Sequence, residues 1–356
     1  MRIAVYGAYG YQGRLVVAEL ARRGIDTVLV GRDRTRLESV GPLEADRRVA
    51  TAVDHNGLTA AFGGAEAVIN CAGPFTVSGI AVIRAAIAAG CHYVDTAGEQ
   101  LYLRQVFETF SSEAGVTIVP GANDDCLPSD LIAALVAALV TPVEEVTIAL
   151  DLTSGGSSPS RGTLRSALAN LETLVTGGEV YDHGHWRADV PARRSSLIFP
   201  GNPQPAPVVK FALPGVVTVP RHVPANRVEG VARAELVAAF SAVTSELIEK
   251  LPEGPAAEQR RASKFVVIVD AVGTDGRRAR GVAEGADTYG TTAVIAVEAA
   301  HRLAAGSPAP GALAPAQVYD PTDFLNFLAP QEFTWTVERI PSSDPVLTRA
   351  AGDAKA

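Results

Sequence analysis

Read from its amino terminus, the chain alternates short β-branched runs with stretches of helical apolar spacing. Residues 2–6 form the first such run and lead into glycines. Residues 14–23 then place apolar side chains three and four apart, and the pattern stops at Gly24, a helix-ending signal. The alternation continues with strands predicted at 27–30, 49–53, 67–70, 92–94 and 116–119. Helices are predicted between them at 35–40, 58–62, 80–89 and 101–114. Six strands with intervening helices imply a parallel, doubly wound sheet.

The pattern changes after a helical run at 131–139. Residues 143–152 alternate as a strand, a Gly/Ser loop follows at 154–160, and 163–175 read as a helix. Residues 180–230 are rich in proline, with short strand-like pieces such as 216–219. Residues 231–251 read as largely helical. The segments 264–272 and 277–283 flank Asp275-Gly276, a hairpin signal. A helix at 291–303, a short helix at 323–328 and an edge strand at 333–337 complete the pattern. The expected fold is α/β: a doubly wound parallel sheet over 1–135, and an α+β part with a mixed or antiparallel sheet over 136–356. The second part is expected to bind substrate and to dimerise, while the helix at 288–304 returns to the first.

Composition narrows the classes. At 356 residues and 47% hydrophobic, the chain can bury a sizeable core, and disorder is expected only near the Ala/Gly/Pro-rich tail and in loops. A net charge of −8 argues against nucleic-acid binding, which needs a basic footprint. Cys71, Cys91 and Cys126 are irregularly spaced, without C-x-x-C, so a reduced cytoplasmic protein with neither disulfide framework nor zinc site is expected. No run reaches the ~18 apolar residues of a membrane span. The first strand begins at once, so no signal peptide is expected. The four lysines begin only at Lys210, so no lysine can act from the amino-terminal half.

Between the first strand and helix lies Gly7-Ala-Tyr9-Gly10-Tyr11-Gln12-Gly13. A glycine-rich turn in this setting is the fingerprint of a Rossmann dinucleotide site, although the spacing is G-x-x-G-x-x-G. Gly7 permits the sharp turn, Gly10 leaves room for a pyrophosphate, and Gly13 lets the helix pack against the sheet. The helix N-terminus, reached through Tyr9, Tyr11 and Gln12, offers N–H groups to phosphate. After the second strand come Gly31, Arg32 and Asp33, where NAD-preferring enzymes place a carboxylate for the ribose 2′-hydroxyl. Gly31 vacates that position. Arg32, with Arg34 and Arg36 near it, suits a 2′-phosphate, so NADPH is expected over NADH; Asp33 is the residue that would favour the opposite.

These residues resemble the saccharopine dehydrogenase-like oxidoreductases, and within them the branch containing trans-acting enoyl reductases. The resemblance rests on the glycine turn, on Val30-Gly-Arg-Asp-Arg-Thr-Arg-Leu37 and on Ala67-Val-Ile-Asn70-Cys71-Ala72-Gly73-Pro74-Phe75. It continues at Gly90-Cys-His-Tyr-Val-Asp95-Thr-Ala-Gly98-Glu99 and Pro120-Gly-Ala-Asn-Asp-Asp-Cys-Leu-Pro-Ser-Asp130, and more loosely at Gly162-Thr163 with Ser166 and at Tyr289-Gly-Thr-Thr292. It covers residues 1–135 well and implies a cofactor-binding sheet joined to a mixed-sheet part. It does not carry over a catalytic lysine, and Asn123–Cys126 departs from the family's usual sequence.

Ligands of open α/β sheets bind beyond the carboxyl ends of the strands. That places Cys71, Ala72, Gly73 and Pro74 beside the nicotinamide ribose, with Asp54 added to the cofactor set after the third strand. Phe75, Asp95, Cys126, Arg161 and Thr163 are assigned to substrate. Glu99, Asp125 and Tyr289 are the candidate proton donors, with capping or burial as the bland alternative for each. His183 and His185 have no clear third ligand, so no metal is expected. The leading expectation is NADPH-dependent reduction of a C=C or C=N bond of a small metabolite or acyl-type substrate by a homodimer. A saccharopine-type amino-acid dehydrogenase and a non-catalytic NADP-binding sensor are the alternatives.

Overall fold

The computed structural model describes residues 1–110, 115–153 and 158–341. The end of the helix predicted at 101–114, most of the loop at 154–160 and the Ala/Gly/Pro-rich tail lie outside them.

The amino-terminal segments build one parallel sheet from β1 (Arg2–Tyr6), β2 (Asp26–Gly31), β3 (Asp46–Val49), β4 (Ala67–Asn70), β5 (His92–Asp95) and β6 (Thr117–Val119). Helices α1 (Tyr11–Arg22), α2 (Arg34–Glu38), α3 (His55–Phe62), α4 (Phe75–Ala88) and α5 (Gln100–Thr109) alternate with them, and α6 (Cys126–Val140) follows β6. The strand order reverses at β1, with β4, β5 and β6 on one side and β2 and β3 on the other. Strands covered on both faces must be apolar throughout, and period-two alternation divides them between two layers. Ile3 and Val5 pack with Val16, Val17 and Leu20 of α1, whereas Ala4 and Tyr6 pack with Phe62 of α3 and Val82 of α4.

The second sheet begins at β7 (Val143–Asp151). After α7 (Arg161–Ala169) and α8 (Leu171–Thr176) come β8 (Val180–Asp182), β9 (His185–Arg187), β10 (Ser196–Leu197) and β11 (Ala206–Lys210). Next are α9 (Gly215–Thr218), β12 (Ala225–Arg233), α10 (Ala234–Ser241), α11 (Ser245–Lys250) and α12 (Ala257–Ala262). The hairpin β13 (Lys264–Gly273) and β14 (Arg278–Ala286) precedes α13 (Thr288–Ala305), β15 (Gly311–Ala312) and β16 (Thr334–Ile340). β7 lies between β12, its parallel neighbour, and β13, its antiparallel one, so this sheet is mixed. β16 closes one edge against β14, and β15 instead joins the first sheet beside β6. α13 leaves the second sheet and packs on α1, β4 and β5 of the first. α6, apolar on all sides, leaves β6 and packs on β13 and β14.

Four elements depart from the sequence reading. β3 lies earlier than 49–53, because its register with β2 pairs Asp46 with Val28 and leaves Val53 exposed. Residues 216–219 are not a strand: Pro214 starts α9, and its valines are buried as a helical turn. The predicted helix over 231–251 begins as strand, since the run ending β12 pairs with β7. A short buried apolar run fits either state until its neighbour is known. The helix predicted at 163–175 breaks at Asn170, which ends α7 and starts α8 while its amide bonds Ser166 O and Thr76 Oγ1.

Candidate active site

The glycine turn closes tightly on the sheet. Gly7, at φ +80°, donates its N–H to Val30 O (2.9 Å), and a Cβ there would lie 3.0 Å from the Ala72 Cβ. A Cβ on Gly13 would collide with the Gly7 carbonyl oxygen. Gly10 starts α1, no side chain caps it, and the first turn holds no acidic residue. The leading N–H groups and positive dipole end of α1 therefore face a glycine cradle, and the helix's own first turn carries no acidic side chain to repel phosphate. Gly31 is buried, and a Cβ there would come within 2.6 Å of the Tyr9 ring, whose face also receives the Arg36 guanidinium at 4.4 Å. Gln12 ties the turn to α13 through Tyr289 O (3.1 Å). Asp33 caps α2 by accepting from Arg36 N, and Asp54 caps α3 by accepting from Gly57 N. Arg32 is exposed and, among the described residues, has no ion pair.

The loop after β4 is held from below. Asn70 Oδ1 accepts from Ala72 N (2.9 Å), and its amide donates to Tyr93 OH (2.9 Å). Tyr93 OH contacts Tyr102 OH, which donates to Asp95 Oδ2 (2.7 Å). Asp95 Oδ1 accepts from Ala97 N and Gly121 N. Asp95 is wholly buried. Burial pushes its carboxyl up to about 6, against the opposing pull of these donors. It anchors three strand ends from beneath rather than reaching a cleft. Cys126 is also fully buried, and burial pushes its thiol up. Cys71 is half-buried beside Ala72, its thiol likewise raised by burial. Glu99 accepts from Phe75 N (2.9 Å) and Thr76 N (2.7 Å), so it caps α4 and fixes the cis Gly73–Pro74 turn. Phe75 itself is buried. Against Gly73 lies α7: a Cβ on Gly73 would stand 2.7 Å from Ser166 Oγ.

After β6 the chain presents two adjacent acids. Asp124 accepts from the Thr292 hydroxyl (2.8 Å), and its N–H donates to the same oxygen, which fastens α13 to this turn. Asp125 starts α6, and its Oδ1 is buried without a partner. It lines a narrow crevice with Ser129, Ile148, Leu150, Leu213 and Val267, between the end of the first sheet and the second. Burial raises both acids, Asp124 to about 8 and Asp125 to about 6, and the charge of Asp125 adds to the rise at Asp124. Two such carboxyls titrate as a pair that retains a proton near neutral pH.

The remaining candidates cluster away from this crevice. Tyr289 OH accepts from Ser160 N (2.7 Å) and lies 2.9 Å from Thr163 Oγ1, while its ring meets Tyr11 edge-on. The phenol thus joins α13 to the start of α7 beside the cofactor turn. Arg161 turns away and donates to the carbonyls of Leu251 and Glu249. Among the described residues no group of His, Cys, Asp or Glu is placed to hold a metal. Sequence reading places Asn70 at a strand end facing the cleft and Ser166 and Thr292 among the family-like residues, but gives none of them a role. Thr292 stands in the Tyr289-Gly-Thr-Thr segment and Asn70 at a predicted strand end, but only their partners give them a role.

Residues 3–119 match the family model of the saccharopine dehydrogenase NADP binding domain. This part of the chain is similar to a saccharopine dehydrogenase NADP-binding domain. The uncapped α1 and the glycine cradle fit the NADP that the family takes. The trans-acting enoyl reductase of Mycobacterium tuberculosis is 33% identical over 140 residues, covering 36% of this chain and 34% of that protein. The lipid droplet localized protein of Caenorhabditis elegans is 30% identical over 146 residues, with 36% and 34% covered. The match thus spans about a third of these curated relatives. Apo saccharopine dehydrogenase (L-Glu forming) from Saccharomyces cerevisiae has the same fold: TM-score 0.59 over 96% of this chain and 100% of that one, at 13% identity. Among the described residues no helix is long and apolar enough to cross a membrane.

Proposed function

We propose that the protein is an NADPH-dependent reductase that saturates a C=C bond conjugated to a carbonyl in an acyl-type substrate. The carrying observation is the Asp124–Asp125 pair. It keeps a proton near neutrality at the strand end where ligands of such sheets bind, and it presents an unpartnered oxygen to an apolar crevice. When bound, NADPH supplies the hydride. The chain's own residues cradle the phosphates on Gly7–Gly13, place Cys71–Pro74 beside the reacting end and hold a proton on the Asp124–Asp125 pair for the carbon that needs it. Ile148, Leu150, Leu213 and Val267 are buried around Asp125 and exclude water, and the likeness to the trans-acting enoyl reductase favours an acyl-type substrate over a multiply charged imine. Arg32, exposed and without an ion pair at the end of β2, is the proposed partner of the 2′-phosphate.

The same reading divides the chain near residue 135 into a cofactor part and a substrate-binding, dimerising part of a cytoplasmic homodimer. NADPH consumption measured against a panel of enoyl thioesters, enones and cyclic imines tests the proposal. Turnover is expected with the enoyl members. Turnover only with imines transfers the reading to C=N reduction, and none with any member favours a cofactor-binding sensor.

A further inference from the structure

The loop between α11 and α12 lies across the cofactor turn, and nothing in the reaction proposed above uses it. Its Glu253 carboxylate accepts from Arg14 Nη2 through Oε2 and from Arg36 Nη2 through Oε1, both at 2.6 Å. The neighbouring residues complete a clasp. Tyr11 OH donates to Pro255 O (2.7 Å), the Tyr11 ring packs so closely on Gly254 that a Cβ there would come within 2.5 Å, and Arg161 N donates to Glu253 O (3.0 Å). The two arginines are also held by the cofactor turn itself. Arg14 Nη1 donates to Tyr9 O (2.9 Å), and Arg36 stacks on the Tyr9 ring. They therefore stay beside the end of β2, where the 2′-substituent of a dinucleotide is recognised, whether or not Glu253 is present.

We propose that Glu253 is an internal stand-in for the 2′-phosphate, which NADP(H) must displace from Arg14 and Arg36 and NAD(H) need not. The inference rests on the NADP reading of the domain. Two forked guanidiniums converging on one carboxylate match a phosphate equally well. The hydrogen bond from Arg14 and the nearby arginine charges hold the Glu253 carboxyl below its ordinary range, so the competitor is anionic at neutral pH. All three side chains are 40–46% exposed, which keeps each pair weak enough to exchange. A phosphate, with more charge and three acceptor oxygens, takes the arginines and releases the loop. Because Glu253 O receives the Arg161 amide, that release reaches the start of α7, whose Ser166 lies against Gly73 at the other end of the cofactor site.

The test is calorimetric titration of the full chain with NADP⁺ and NAD⁺, in the wild type and in Glu253→Gln. Each exposed ion pair is worth a factor of a few, so Glu253→Gln is expected to tighten NADP⁺ by about three- to tenfold and leave NAD⁺ within about twofold. Glu253→Ala should match it, and equal melting temperatures of all three proteins confirm intact folds. Hydrogen exchange at the Arg161 amide is expected to quicken with NADP⁺ and not with NAD⁺. Unchanged or weakened NADP⁺ binding in both variants overturns the proposal, as does an Arg161 amide that responds equally to both dinucleotides. Failure of the NADP reading is separately visible, as equal affinity of the wild type for the two dinucleotides.

Discussion

The two ends of the proposed cofactor site are built from opposite materials. At the phosphate end the working groups belong to the backbone: the N–H groups of an uncapped helix, reached because Gly7 and Gly13 carry no Cβ. At the reaction end they are side chains whose properties come from burial. Asp95 and Glu99 accept hydrogen bonds from the loops they fix, and Asp124 and Asp125 hold their proton because water is excluded. The first end works by what the sequence omits, the second by where the fold places ordinary acids. An error at the phosphate end is therefore steric, and one at the reaction end electrostatic.

The sharpest way to break this contrast is Asp125→Asn. Removing a general acid costs about 10²–10⁴-fold in rate, so turnover on an enoyl substrate should fall at least about a hundredfold while NADPH affinity stays unchanged. Turnover within threefold of wild type would move the proton source elsewhere. Gly13→Ala should do the reverse. Its methyl must push α1 off the Gly7 carbonyl, an overpacking cost of roughly 1–3 kcal/mol, and NADPH affinity should drop about tenfold or more with the melting temperature. Wild-type affinity in Gly13→Ala would mean the turn yields and the cradle is not steric. Arg32→Ala should weaken NADPH about tenfold and leave NADH unaffected, the loss expected for one charge-assisted phosphate contact. A parallel loss for both dinucleotides would remove Arg32 from the 2′-phosphate.

The smallest effect is on stability. Asp95 and Asp124 bind their protons more tightly in the folded chain, so their contribution is complete below the unfolded value of 3.8. It is lost as pH rises through about 6 for Asp95 and about 8 for Asp124. The melting temperature should therefore fall between about pH 5 and pH 8.5, and Asp124→Asn should flatten the upper part of that decline. Parallel curves for the two proteins would show that Asp124 ionises as readily folded as unfolded.

The same contrast explains what the sequence made legible. Glycine spacing, β-branched runs and helix stops are local, so the doubly wound parallel sheet, the turn at Gly7 and the β13–β14 hairpin could be read directly. The acids could be named but not ranked. Asp33, Asp54, Asp95, Glu99 and Asp125 are chemically alike along the chain, and four of them turn out to cap helices or anchor loops. Only the buried Oδ1 of Asp125, which has no partner, sets it apart from the others, and that burial is made by residues far apart in sequence. The second sheet was read least well for the same reason, because its strands pair across long separations and a short valine run carries no mark of its partner.

Helix α6 has a consequence for how the molecule comes apart. It leaves the last core strand of the first sheet and spends its apolar surface on the second, burying Leu131, Ile132 and Val136 in a core that also contains Val267 and Val269. Neither sheet can melt without exposing that helix, so unfolding should follow one cooperative transition rather than two. A fragment cut near residue 135 would leave the amino-terminal sheet ending in a sticky apolar stub, prone to aggregate although its dinucleotide fingerprint is complete.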